Sequence, residues 1–208
     1  MPREDDYRRA YEIAKEELQN RNPHHVCRAS GAVSIEENKQ LTGIRLMFLN
    51  RPITIDWPDI ALHQESQNEI PIKEQILVLH YLNGVGTKDL TGEWITYKDI
   101  PSARFYLDAF NRRVINPLVS TFGEDPDRLP TIAKELFGAT SGTIGDISLQ
   151  IQAFPKMPIM VVIWKGDEEF PPNGTILFDR LIDDIFSAED VTEIASHVVY
   201  PLIKKAHR

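Results

Sequence analysis

The chain has 208 residues, 42% hydrophobic and 26% charged, the proportions of one ordinary globular domain spanning 1–208. Its 23 Lys and Arg stand against 31 Asp and Glu, giving a formal net charge of −8 that repels nucleic acid and anionic lipid and excludes both as expected partners. Cys27 is the single cysteine, which excludes an intramolecular disulfide and any site needing several thiolates from one chain.

Met1 to Asp6 has no apolar segment of the kind that opens a secretory signal. The longest purely apolar run, Ile159 to Trp164, falls far short of the roughly 20 residues of a membrane-spanning helix. No membrane partner and a cytoplasmic location are therefore expected. Along the chain, Tyr7, Ala10, Tyr11, Ala14 and Leu18 recur at helical spacing, and the helix they predict ends near Asn22-Pro23. Val26 to Ile35, Gly43 to Leu49 and Ile53 to Trp57 read as short strands, the last two joined tightly through Asn50 and Arg51.

Pro71 opens a second helix with Ile72, Ile76, Leu79 and Leu82 on its buried stripe, closed by Gly84. Thr91 to Tyr97 reads as a strand whose aromatic pair can stand at a groove wall. Phe105, Ala109, Val114, Leu118 and Phe122 predict a third helix, bent near Pro117. Leu129 to Leu136 predicts a fourth, stopped by Gly138, and Thr140 to Gly145 a loop. Ile147, Leu149, Ile151 and Ala153 alternate as a strand with one buried face. Ile159 to Trp164 is apolar on both faces and reads as the centre of the sheet. A short strand at Thr175 to Phe178 follows, then a helix that Ser187 and Asp190 open as a capping box and that Pro201 kinks or shortens. Helices and strands do not alternate one for one. The expected fold is α+β, a mainly antiparallel sheet with about five helices segregated around it.

No complete catalytic or metal-binding signature occurs. The most unusual local sequence is Trp164-Lys165-Gly166-Asp167-Glu168-Glu169-Phe170-Pro171-Pro172, directly after the apolar strand. Asp167 and Glu168 can bind a ligand or act as acid or base if the loop is recessed; equally, Gly166-Asp167 is ordinary turn chemistry. Asp146 and Asp179 bracket the same sheet, where they either converge with Asp167 or cap turns. His80 lies beside the stripe of the second helix, as a hydrogen-bonded core residue or a proton carrier. Cys27 reads as a buried structural thiol, and Trp57, Trp94 and Trp164, beside strands, as core or as walls of a pocket. No Walker sequence, His-Glu-x-x-His pattern or other metal set is present.

The blocks Leu79-His80-Tyr81-Leu82, Leu90-Thr91-Gly92-Glu93-Trp94-Ile95, Gly145-Asp146, Trp164 to Pro171 and Leu177-Phe178-Asp179 resemble, in this order, the uncharacterised domain-of-unknown-function family 3786. The resemblance spans about Ile44 to the C-terminus and implies a setting in anaerobic bacteria and archaea, in some cases linked to corrinoid or one-carbon metabolism. Some members carry a cysteine-rich iron–sulfur segment ahead of this domain; with one cysteine in these 208 residues, the iron–sulfur expectation is not carried over. The resemblance also implies that the acidic motif, Trp94 and His80 belong to what the domain has in common. Three functions are then expected to compete. One is an accessory module binding a small-molecule cofactor or a protein partner through His80, Trp94, Asp146, Trp164, Asp167, Glu168 and Asp179. The others are an enzyme using Asp146, Asp167, Glu168 or Asp179 as general acid or base or as divalent-metal ligands, with His80 as proton carrier, and a structural or interaction protein in which Glu168 or Glu169 pairs with an arginine such as Arg104.

Overall fold

The computed structural model describes residues 4–66, 68–86, 88–101 and 103–208; Met1–Arg3, part of the stretch searched for a signal, lie outside the described residues. The architecture is α+β with two antiparallel sheets. Two compact units form. One runs to Asp89 and takes in Phe154–Lys156 and Asp184–Phe186; the other comprises Leu90–Ala153, Met157–Asp183 and Ser187–Arg208.

In the first unit, α1 (Glu4–Gln19) buries Ala14 and Leu18. The segment from Val26, expected as a strand, is instead α2 (Pro23–Ser30), and the strand begins only at Val33. Asn22-Pro23 ends one helix and starts the next: the Asn22 side chain accepts from His25 N at 3.1 Å, and Pro23 occupies the first turn, where its missing N–H costs nothing. Cys27 is buried, on this helix. The sheet follows as β1 (Val33–Glu37), β2 (Gln40–Phe48), β3 (Arg51–Asp56) and β4 (Leu62–Gln64), paired in that order. Two-residue turns close its first two hairpins, Asn38-Lys39 with φ of 51° and 65° and Leu49-Asn50 with 46° and 62°. Positive φ at both central residues matches the right-handed twist of the strands, at a steric cost to any side chain. Lys39→Gly removes that cost at an exposed position and is expected to stabilise the protein by about 0.5–1 kcal/mol, read from the midpoint of urea unfolding; a lower midpoint would contradict the turn assignment.

The second expected helix is α3 (Ile72–Gly84), buried along Ile76–Leu79, Tyr81 and Leu82. Arg21 donates to the terminal carbonyls of Leu82 (2.8 Å) and Asn83, where the negative end of the helix favours a cation. Asn83 in turn donates to Ala14 O at 2.8 Å, which fastens α1 to α3. Tyr81 stacks on Phe154 with centroids 4.3 Å apart; its hydroxyl donates to Ser30 O (2.7 Å) and accepts from Lys156 N (3.0 Å). Burial pushes this phenol far above its ordinary pKa.

In the second unit, β5 (Trp94–Thr96) precedes a 3-10 turn at Ala103–Tyr106, then α4 (Leu107–Phe110), a π-helical turn at Asn111–Ile115 and α5 (Asn116–Phe122). The expected third helix is therefore broken just ahead of Pro117, whose missing N–H cannot close an ordinary helical turn. Phe105, placed on its apolar stripe by spacing, lies in the 3-10 turn and is 94% exposed. Next come α6 (Leu129–Phe137), ended by Gly138 at φ 64°, β6 (Thr140–Ser141), β7 (Ile147–Phe154), β8 (Met157–Trp164), β9 (Asn173–Asp179), the short α7 (Ile182–Ile185) and α8 (Ala188–Ala206). The predicted capping box opens α8, but the helix continues five residues beyond Pro201 rather than ending there.

The sheet order is β5-β9-β8-β7-β6, so the run of apolar residues is indeed the central strand, buried at every position before Trp164. Register pairs Ile159 with Phe178 and Val161 with Ile176 on one fully buried face, and Met160 with Leu177 on the other. α5 lies so close to β9 that a Cβ on Gly174 would sit 2.9 Å from the Val119 side chain. A larger residue there would force the Val119 and Ile163 side chains to move.

Candidate functional site

Asp179 ends β9 and is 2% exposed. Its carboxylate accepts from Thr91 N (3.1 Å), the Thr91 hydroxyl (2.9 Å), Gly92 N (2.8 Å) and Leu181 N (2.9 Å). Burial raises its pKa, but the bonds from Leu181, Thr91 and Gly92 outweigh burial and hold it below the ordinary carboxylate range. Trp94 is the register partner of Asp179 across β5 and β9. The two residues are thus brought together, with the carboxylate turned into the chain segment that leads into the tryptophan strand.

Asp146 is exposed and acts locally: Oδ2 accepts from Lys165 N (2.8 Å) and its own amide donates to Ile163 O (3.1 Å), clamping the end of β8. Gly145 before it has φ 66°, and a Cβ there would meet the Val162 side chain at 2.7 Å. Asp167 closes a turn. Its Oδ1 accepts from Phe170 N (2.7 Å) and Glu169 N (2.8 Å), bonds that lower its pKa, while its amide donates to Phe170 O (2.9 Å). Glu168 is exposed on the same turn. The expected pairing of Glu168 or Glu169 with Arg104 is not made; among the described residues the cation of this loop, Lys165, pairs with Asp127 at 3.0 Å. Trp164 is 37% exposed and, with Lys165, Phe170, Pro171, Pro172 and Asn173, lines a shallow cleft. His80 is half-buried on α3 and belongs to the first unit, whereas the other six candidates lie in the second. Among the described residues, no group of three His, Cys, Asp or Glu is placed to hold a metal ion.

The second unit also holds an open groove of about 900 Å³ that motif reading passed over. Trp94, Lys98, Arg104, Phe105 and Arg180 line it together with Glu93 and Asp99. Trp94 is packed on one side against the small cluster of Met160, Val162 and Leu177, and its remaining surface faces the groove. Tyr97, the other member of the aromatic pair, is buried: it stacks on Phe110 at 3.9 Å and donates to Ala188 O. Arg180 and Glu93 form a bidentate pair, both contacts 2.6 Å, which raises the guanidinium pKa and lowers that of the carboxyl. Asp99 accepts from the Thr96 hydroxyl (2.7 Å) and amide (2.9 Å), which lower its pKa and commit it to capping. Lys98 and Arg104 are exposed and make no ion pair or hydrogen bond among the described residues. The sequence signal for this site is the aromatic pair; Lys98 and Arg104, six residues apart on an irregular segment, carry no periodicity to mark a shared surface.

The sequence profile of the family described as a domain of unknown function (DUF3786) matches residues 22–200. The chain belongs to this family. The match covers both units, including α3 with His80 and the whole Trp164 to Pro172 loop. No curated protein and no solved structure matches the chain. No helix among the described residues is long and apolar enough to cross a membrane.

Proposed function

We propose that this DUF3786 chain is a binding or accessory module that takes a small-molecule ligand in the Trp94 groove. One observation carries the reading: the groove gathers two accessible aromatic side chains and two cations that make no ion pair or hydrogen bond among the described residues, whereas Asp146, Asp167 and Asp179 each accept from backbone amides. A pocket of this size lined by apolar rings with a few polar groups has the ordinary form of a ligand site. The carboxylate-enzyme alternative has less support, because the amide bonds to Asp167 and Asp179 hold both carboxyls below their ordinary pKa, the opposite of what a general acid or base near neutral pH needs. The setting implied by the family resemblance, corrinoid or one-carbon metabolism of anaerobes, makes cobalamin the first ligand to try, followed by haem and flavin.

Titration of the full chain with these three, followed by tryptophan fluorescence, tests the reading. At least one is expected to change the emission, and Trp94→Phe is expected to abolish most of the change, because Trp57 and Trp164 do not line the groove. A response equally large in the variant, or none from any ligand, would remove the groove as the site. A second reading, docking of a protein partner, draws on the Trp164 cleft, where Phe170 is 67% exposed beside two prolines.

A further inference from the structure

Resting on that reading of the groove, we infer that its ligand is a flat ring system carrying a phosphate or carboxylate, the ring against Trp94 and Phe105 and the anion received by Lys98 and Arg104. Of the three cations lining the groove, Arg180 is neutralised by its fork onto Glu93. The acidic neighbour Asp99 is turned to Thr96. Among the described residues Lys98 and Arg104 form no ion pair or hydrogen bond; the Asp99 charge is felt by Lys98, but its bonded oxygen is taken by Thr96, so both cations can still receive an anion on a chain whose formal net charge is −8. An anion entering the groove can draw on both charges, and the Arg fork matches the geometry of phosphate or carboxylate oxygens.

The aromatic residues fix the rest of the ligand. Phe105 is 94% exposed, next to Arg104, and gains nothing from the fold in that position. With Trp94 lining the same groove it adds a second apolar surface on which a planar ring can bury area. A flexible aliphatic anion would meet the cations but leave the rings wet. A neutral ring would fill the groove and leave the cations unanswered.

A matched pair of probes separates these elements: riboflavin, and its phosphate ester FMN, titrated into the full chain and followed by quenching of flavin emission. FMN is expected to bind at least about tenfold more tightly than riboflavin, with the advantage shrinking as salt shortens the screening length. Arg104→Ala or Lys98→Gln is expected to erase most of that advantage while leaving riboflavin binding and the melting temperature unchanged. Trp94→Phe should weaken both ligands. Equal binding of the two flavins, indifferent to Arg104→Ala, overturns the anion inference and leaves the groove reading standing. Failure of both flavins to bind up to millimolar concentration overturns the inference; the groove reading then rests on the response to cobalamin and haem.

Discussion

Asp179→Ala is expected to lower the free energy of unfolding by about 3–5 kcal/mol, measured by urea denaturation. The carboxylate is nearly inaccessible and accepts from three backbone amides and one hydroxyl. Removing it strands the buried N–H of Leu181, which costs about 1–3 kcal/mol without an acceptor, and loses the charge-assisted bonds that hold the more exposed Thr91 and Gly92 to β9. Asp179→Asn should cost less, about 1–3 kcal/mol, because one oxygen survives while the new NH2 group faces a donor. The pH dependence follows from the lowered carboxyl pKa. A carboxyl whose pKa is depressed by folding contributes its stability fully above the unfolded value, about 3.9, and loses it as pH falls through the lower folded value. The stability gap between the native protein and Asp179→Asn should therefore hold above about pH 4 and narrow below it. A gap that widens on acidification would show that the carboxylate is not the acceptor described.

Tyr81→Ala is expected to cost about 4–5 kcal/mol, and Tyr81→Phe only about 1–2 kcal/mol, by the same measurement. The alanine variant removes a ring that is fully buried and stacked on Phe154, leaving a cavity that its neighbours fill only in part. It also deprives Ser30 O and Lys156 N of their shared partner. The phenylalanine variant keeps the ring and loses only the hydroxyl, so the difference between the two isolates packing from hydrogen bonding. Equal losses would mean that the hydroxyl, not the stacked ring, holds this part of the first unit.

Much of the architecture was legible because its signals are local. Ile76, Leu79 and Leu82 repeat at helical spacing and Gly84 ends the helix; Gly138 adopts the left-handed conformation that its place after Leu136 calls for; Ser187 and Asp190 cap α8 reciprocally. The unbroken apolar run of β8 announced a strand covered on both faces. Misreadings arose where one residue serves two purposes. Asn22-Pro23 is both a stop and a start, so the residues of α2 read as a strand from spacing alone, and Pro117 acts before its own position by widening the preceding turn. The groove was illegible for another reason. Trp94 and Arg180 are 86 positions apart in the chain and meet only because β5 pairs with β9, and no single sequence states its strand order. The acidic motif stood out by composition, yet composition could not say that Asp167 faces inward to its own turn.

The grip of Asp179 on Thr91 and Gly92 has a thermodynamic corollary for whatever settles on Trp94. The tryptophan stands on a three-residue strand, an element too short to hold itself, yet both its pairing and the turn before it are anchored to β9. On the binding reading proposed above, a molecule reaching Trp94 would find its floor already built and would spend little of the interaction on freezing chain motion, which would leave ring contact and charge to set the affinity.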